Sequence, residues 1–136
     1  MITTDQEALR AWFNDFFKVE ARAESQFIGR TRDGKIIACV AYSNFNANAC
    51  DVHIASTESH WLSKEYLKVI FDYPFQQLNL RCIIAHIHSE NEKSIGLCRH
   101  LGFSVAAEIP NAHYLGDLVL MAMQREQCKF LLKDAA

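Results

Sequence analysis

The chain has 136 residues, of which 50% are apolar and 22% charged, with a formal net charge of −2. Such a length and apolar share predict one well-buried core and a single domain over 1–136. The charges form no long like-signed block, so the clustered cations that phosphate binding needs are missing and no nucleic-acid partner is expected.

The N-terminus, Met1-Ile2-Thr3-Thr4-Asp5-Gln6-Glu7, lacks a basic stretch leading into an apolar run. No later stretch of about 18 apolar residues is long enough for a bilayer, so no membrane partner and a cytoplasmic location are expected. The cysteines Cys39, Cys50, Cys82, Cys98 and Cys128 are odd in number and form no C-x-x-C pair. They read as small buried hydrophobes in a reducing compartment.

Asp5 is placed to cap a helix over about Gln6 to Phe17, whose face is Leu9, Trp12, Phe13, Phe16 and Phe17. Gln26–Thr31 and Lys35–Ser43 flank Asp33-Gly34, a hairpin signal, and Ile36–Tyr42 is apolar on both faces, as in a central strand. A turn at Asn44–Asn48 leads to a short strand, Cys50–Ala55, and then to a polar loop, Ser56–Ser63. The next helix shows a face of Leu62, Tyr66, Leu67, Ile70 and Phe71 and is expected to end at Pro74.

Leu80–Ile87 reads as a second apolar strand, and Glu90–Leu101 as a helix closed by Gly102. Ser104–Ile109 and Leu115–Met123 read as a hairpin turning at Pro110-Asn111-Ala112. Hairpins imply antiparallel pairing and helical crossovers imply parallel pairing, so the expected fold class is α/β: a mixed sheet with helices on both faces.

Four runs carry a family resemblance: Tyr73-Pro74-Phe75-Gln76-Gln77-Leu78-Asn79-Leu80-Arg81, Asn91-Glu92-Lys93-Ser94, Leu101-Gly102-Phe103, and Gly116-Asp117-Leu118-Val119-Leu120-Met121. In order and spacing they resemble the GNAT superfamily of N-acetyltransferases, most closely its ribosomal-protein-alanine-acetyltransferase branch. The resemblance implies a mostly antiparallel, twisted sheet with a V-shaped parallel splay, here between Cys50–Ala55 and Leu80–Ile87. It implies acetyl-CoA as co-substrate, with the pantetheine arm beside Ile54 and Ala55 and the pyrophosphate at the helix start. The family's Q/R-x-x-G-x-G/A loop falls on Glu58-Ser59-His60-Trp61-Leu62-Ser63, so His60, Trp61, Leu62 and Ser63 become the cofactor-binding candidates. Glu58 stands where Gln or Arg is usual, and Trp61 replaces the first glycine, which normally lets backbone approach phosphate.

The resemblance further gives Asn91 a role in fixing the cofactor arm and places Ser94 beside the thioester; the alternative for both is helix capping. Cys98 stands at the family's usual tyrosine position. Asp51 and His53 alternate onto one strand face, making His53 a candidate general base and Asp51 a candidate for substrate binding. A strand histidine is more often structural, which is the alternative for His53, and water-mediated deprotonation is equally compatible with the sequence. His86 and His88 share a face, but no third ligand is evident and no metal is expected. Tyr114 and Asp117 are candidates for lining the acceptor cleft, with Asp117 alternatively a strand-start acceptor.

The expected function is transfer of an acetyl or similar group from a coenzyme A thioester to a primary amine, on a small molecule or a protein N-terminus, by a monomer or homodimer. Two other classes stay open: a catalytically degenerate binding module that keeps the scaffold, and an interaction protein using Met121, Met123, Phe130 and Leu131.

Overall fold

A computed structural model describes residues 1–131; the expected domain over 1–136 therefore includes five residues, 132–136, outside the described ones. The elements run β1 (Ile2–Thr3), α1 (Gln6–Phe17), β2 (Gln26–Arg32), β3 (Lys35–Ser43), β4 (Ala49–Ser56), α2 (Lys64–Asp72), β5 (Cys82–His88), α3 (Glu92–Leu101), β6 (Ser104–His113) and β7 (Gly116–Gln124). A π-helical turn, Tyr73–Gln77, follows α2, and a 3-10 turn, Arg125–Gln127, follows β7. The strands form one seven-stranded sheet in the order β1-β2-β3-β4-β5-β7-β6, antiparallel throughout except for β4 and β5.

Local chemistry sets the elements. Asp5 caps α1 through a bond its side chain accepts from the Ala8 N–H, and the β2–β3 turn places Asp33 and Gly34 at φ 53° and 77°, the left-handed pair that a two-residue hairpin needs. β3 is buried from Ile37 to Ser43, as its apolar run on both faces requires. One face of the sheet packs Leu9 and Phe13 of α1 on Phe27, Cys39 and Ala41. The other face holds the larger core, where Tyr66, Ile70 and Phe71 of α2 and Cys98 and Leu101 of α3 meet Val40, Val52, Ile83 and Met121.

One expected boundary holds and one moves. α2 ends at Asp72, just ahead of Pro74, and the chain continues as the π turn, with Pro74 near its start, until it unwinds at Leu78. Pro110, by contrast, is not a turn residue. β6 runs through it to His113, and the chain reverses at Tyr114 and Leu115. Because β6 is the edge of the sheet, a residue without an N–H is tolerated there. Among the described residues no helix is long and apolar enough to cross a membrane.

Candidate active site

The site begins where the parallel ladder stops. β4 and β5 pair at Ala49↔Cys82, Cys50↔Ile83, Asp51↔Ile84 and Val52↔Ala85, and no further. Past that point β4 stays bonded to β3 at Ile54, Ala55 and Ser56, and β5 stays bonded to β7 at His86, Ile87 and His88. The two strands are therefore held apart by their outer partners, and the facing edges of Ile54–Ser56 and His86–His88 have no strand between them. A cleft of about 500 Å³ passes through this gap. On the α3 side it is lined by Ile54, Ile87, Ser94, Leu97 and Cys98, and on the α1 side by Phe13, Phe17, His53, His86 and Leu115, among others.

Strand alternation puts Asp51 and His53 on the α1 side, with β3 partners Ser43 and Ala41. Across the floor of the gap His86 Nε2 lies 3.3 Å from Asp51 Oδ1, and Asn44 Nδ2 donates to Asp51 Oδ2 at 3.2 Å. Burial alone would raise the Asp51 carboxyl, but the bonds from His86 and Asn44 outweigh it and hold it below its ordinary value. The same bond to Asp51 holds His86 above the usual histidine value, against its own partial burial. His53, with its ring 6.1 Å from that of Phe13, goes the other way: burial lowers it, the charge of Asp51 opposes, and the charge of His86 adds to the lowering. Two imidazoles on one wall thus differ in charge preference, one set toward the neutral form and one toward the cation.

Asn91 and Ser94 both line the cleft, and Asn91 Oδ1 also accepts from the Ser94 N–H at 3.2 Å, so the capping role and a cleft position coincide. Cys98 lies at the cleft, with its thiol pushed up to about 11 by burial. The structure does not bring Asp117 into the cleft lining: its side chain accepts from the Asn111 N–H at 2.9 Å across the β6–β7 turn, while neighbouring Tyr114 does line it.

The loop before α2 lies apart from the cleft lining. Trp61 is buried against Tyr66, with centroids 6.1 Å apart, and Leu62 packs on the same core. Ser63 Oγ caps α2 by accepting from the Tyr66 N–H at 3.1 Å. His60 is exposed at φ 58°, and its carbonyl accepts from Arg30 at 3.1 Å and Arg32 at 3.0 Å; Arg30 also donates to the carbonyl of Trp61. Two guanidinium groups therefore fix a loop that contains no glycine. Arg32 stands 3.4 Å from Glu58, so that carboxylate does not face the helix start uncompensated.

Sequence reasoning weighed His86 without its partner, since only the β4–β5 register places Asp51 beside it. It missed Arg10 altogether. That guanidinium donates to the carbonyls of Ala21 (3.3 Å), Arg22 (3.0 Å), Ala23 (3.2 Å) and Ser25 (3.2 Å), and so shapes the loop whose residues Val19–Arg22 line the cleft. Among the described residues no three His, Cys, Asp or Glu side chains are placed to hold a metal ion.

Comparison with known proteins bears on this geometry. A chimera of Vibrio cholerae spermidine N-acetyltransferase SpeG and hSSAT superposes with a TM-score of 0.76 at 14% identity, over 93% of this chain and 96% of that one. The acetyltransferase yncA from Salmonella typhimurium, solved with acetyl-CoA, gives 0.74 at 16% identity over 100% and 98%. Spermidine N-acetyltransferase from Vibrio cholerae, solved with CoA and spermine, gives 0.66 at 18% identity over 89% and 76%. At these identities the likeness is one of fold. No curated protein sequence matches the chain. The Acetyltransferase (GNAT) domain family matches residues 2–104, which include α1, both strands of the splay and α3, and on that match the chain belongs to the GNAT acetyltransferase family.

Proposed function

We propose that the chain transfers an acetyl or similar acyl group from a coenzyme A thioester to the nitrogen of a primary amine. The observation that carries this reading is the cleft at the splay: its lining comes from α3 on one face of the sheet and from α1 on the other, so two reactants can meet within it. The unpaired edge of Ile54 and Ala55 offers backbone hydrogen bonds to the amides of a pantetheine arm, with Asn91 and Ser94 at its inner end. The start of α2, with Ser63 as cap and Arg30 and Arg32 beside the loop, is the candidate place for the pyrophosphate. His60, Trp61 and Leu62 then shape that loop from its back rather than touching the arm.

On the α1 side His53, kept neutral by burial, accepts the proton of the incoming ammonium, and Asp51 attracts its charge. The freed nitrogen attacks the thioester carbonyl, a C–N bond forms, the C–S bond breaks and the thiol of coenzyme A departs. The nitrogen sheds its second proton as the tetrahedral adduct collapses, and solvent relays it to the departing thiolate, so that coenzyme A leaves as the thiol; Cys98, pushed up to about 11, keeps its own proton. Finer features of the likeness, in the runs Tyr73–Arg81 and Asn91–Ser94, support the ribosomal-protein-alanine branch; the acceptor amine is carried either by a small molecule or by a protein N-terminus.

Calorimetry with acetyl-CoA, followed by mass detection of the acylated amine, tests the reading; no heat of binding at millimolar ligand counts against it. The same loop also supports a second reading, a scaffold that has lost catalysis, since Trp61 stands where the family has a glycine. Acetyl-CoA binding without turnover of any amine would favour it.

A further inference from the structure

We infer that the acceptor is a small monoamine bearing a flat aromatic body, an arylalkylamine, an inference that rests on the acyl-transfer reading above. It comes from the walls and the charge of the cleft on the α1 side. One wall is a run of three rings: His88 and His113 have centroids 5.3 Å apart at 27°, and His113 and Tyr114 4.6 Å apart at 28°. Across the cleft, at the end of α1, Phe13 and Phe17 pack with centroids 4.8 Å apart, and Phe13 reaches His53. A stack of rings on one wall and the tilted Phe13 and Phe17 rings on the other suit a flat apolar body, which aromatic walls meet edge to face.

Charge selects the number of amines. The residues lining the cleft include two carboxylates, Glu20 and Asp51. Glu20 is exposed at the rim, whereas Asp51 is on the floor, its side chain only 15% exposed and shared with His86. An ammonium taken out of water needs a charged partner, and Asp51 serves as one where His86 has given up its proton. A linear polyamine brings several such groups spaced along hydrocarbon, and the floor answers one of them. Nor does the cleft invite a carboxylate on the acceptor, since Arg22 at its edge is already held by Glu24 at 2.6 Å. A single ammonium drawn to Asp51 lies next to His53, with the ring left between the two aromatic walls.

The test uses the full chain in three arms, each saturated with acetyl-CoA after its binding has been measured by calorimetry: phenethylamine, spermidine, and a short peptide with a free N-terminal alanine. Products are counted by mass. The expected kcat/KM for phenethylamine exceeds that for either of the others by about tenfold or more. Tyr114, 78% exposed, can be changed without disturbing the core, and Tyr114→Ala should raise KM for phenethylamine about fivefold while acetyl-CoA affinity holds. Phe17→Ala should act in the same direction from the other wall. A chain that binds acetyl-CoA yet prefers spermidine or the peptide overturns the acceptor assignment alone; so does a phenethylamine preference that both variants leave intact, whereas binding of acetyl-CoA with turnover of no amine overturns this inference together with the acyl-transfer reading. If acetyl-CoA itself fails to bind, the acyl-transfer reading falls and this inference with it.

Discussion

His86 and Asp51 join β5 to β4 by a 3.3 Å contact at the place where the parallel ladder ends. The pair has opposite pH dependences at its two ends. His86 is raised in the folded state, so its contribution is fully present below its unfolded value of about 6.5 and is lost as pH climbs through the folded value. Asp51 is lowered, so its contribution is present above about 3.9 and is lost as pH falls through the folded value. The window in which both hold is mildly acidic. His86→Gln should therefore cost most stability near pH 5 to 6, and the difference from the parent should shrink above about pH 8. With the His86 side chain 39% exposed, solvent screening keeps the cost under about 1 kcal/mol. Denaturant melts at two pH values measure it, and a cost larger at pH 8 than at pH 5.5 would contradict the pairing.

His53→Gln should lower kcat by about a hundredfold while leaving acetyl-CoA affinity unchanged, because the side chain lies on the α1 side of the splay. Burial pushes the folded histidine below its ordinary value, so the neutral base persists at lower pH than a free imidazole would allow. Activity should therefore hold to lower pH than a free imidazole base would allow, with its acid limb below about 6.5. A rate profile dropping already near pH 7.5 would assign the step to another group.

Much of the scaffold was readable from spacing. The α1 stripe from Leu9 to Phe17, the Asp33-Gly34 hairpin and the Gly102 helix end are local signals, and each element forms where its residues point. Pro74 marked the end of α2 but not the π turn that follows, and Pro110 misled because the cost of a proline depends on context: it lies on an edge strand. The site was less legible than the fold. Asp51 and His53 follow from alternation within one strand, but the contact of Asp51 with His86 needs the register between two strands separated by a whole helix. Arg10 clamping residues fifteen positions away is invisible to any periodicity.

Arg10 gives a third prediction. Four carbonyls of the α1–β2 loop converge on its guanidinium, which also lies 5.1 Å from the centre of the Phe27 ring. A fork of donors fixed in one plane can hold such a loop; a single ammonium cannot. Arg10→Lys should therefore free Val19–Arg22, raising KM for the amine several-fold while the dissociation constant of acetyl-CoA stays put. Equal losses for both ligands would mean general destabilisation rather than a loosened acceptor wall.

Asn91 is at once the cap of α3 and part of the cleft. Asn91→Asp keeps an oxygen for the Ser94 N–H, so it should retain the cap, worth about 1 kcal/mol, while placing a negative charge at the inner end of the arm's path. Asn91→Ala loses both. If the side chain contacts the arm, acetyl-CoA affinity falls in both variants although only the alanine variant melts earlier. Unchanged affinity in the aspartate variant would reduce Asn91 to a cap.

Trp61 decides how a loop without glycine can still face a pyrophosphate. The indole is 8% exposed, stands edge-on to Tyr66 and packs within the core, while the loop carbonyls of His60 and Trp61 are drawn toward Arg30 and Arg32. Such an arrangement sends the indole into the core and ties the loop carbonyls to two guanidinium groups, while the proposed anion place is the first N–H groups of α2. Replacing the indole therefore opens a void in the core instead of clearing space for a phosphate. Trp61→Gly should cost about 3–5 kcal/mol of stability and, measured below its lowered melting temperature, should bind coenzyme A no more tightly than the parent. Arg30→Gln should act differently, costing less stability but weakening coenzyme A binding, because the loop loses the donor that holds its carbonyls away. Titration calorimetry on both variants checks the pair. Tighter binding after removal of the indole would show that Trp61 occupies the phosphate's place.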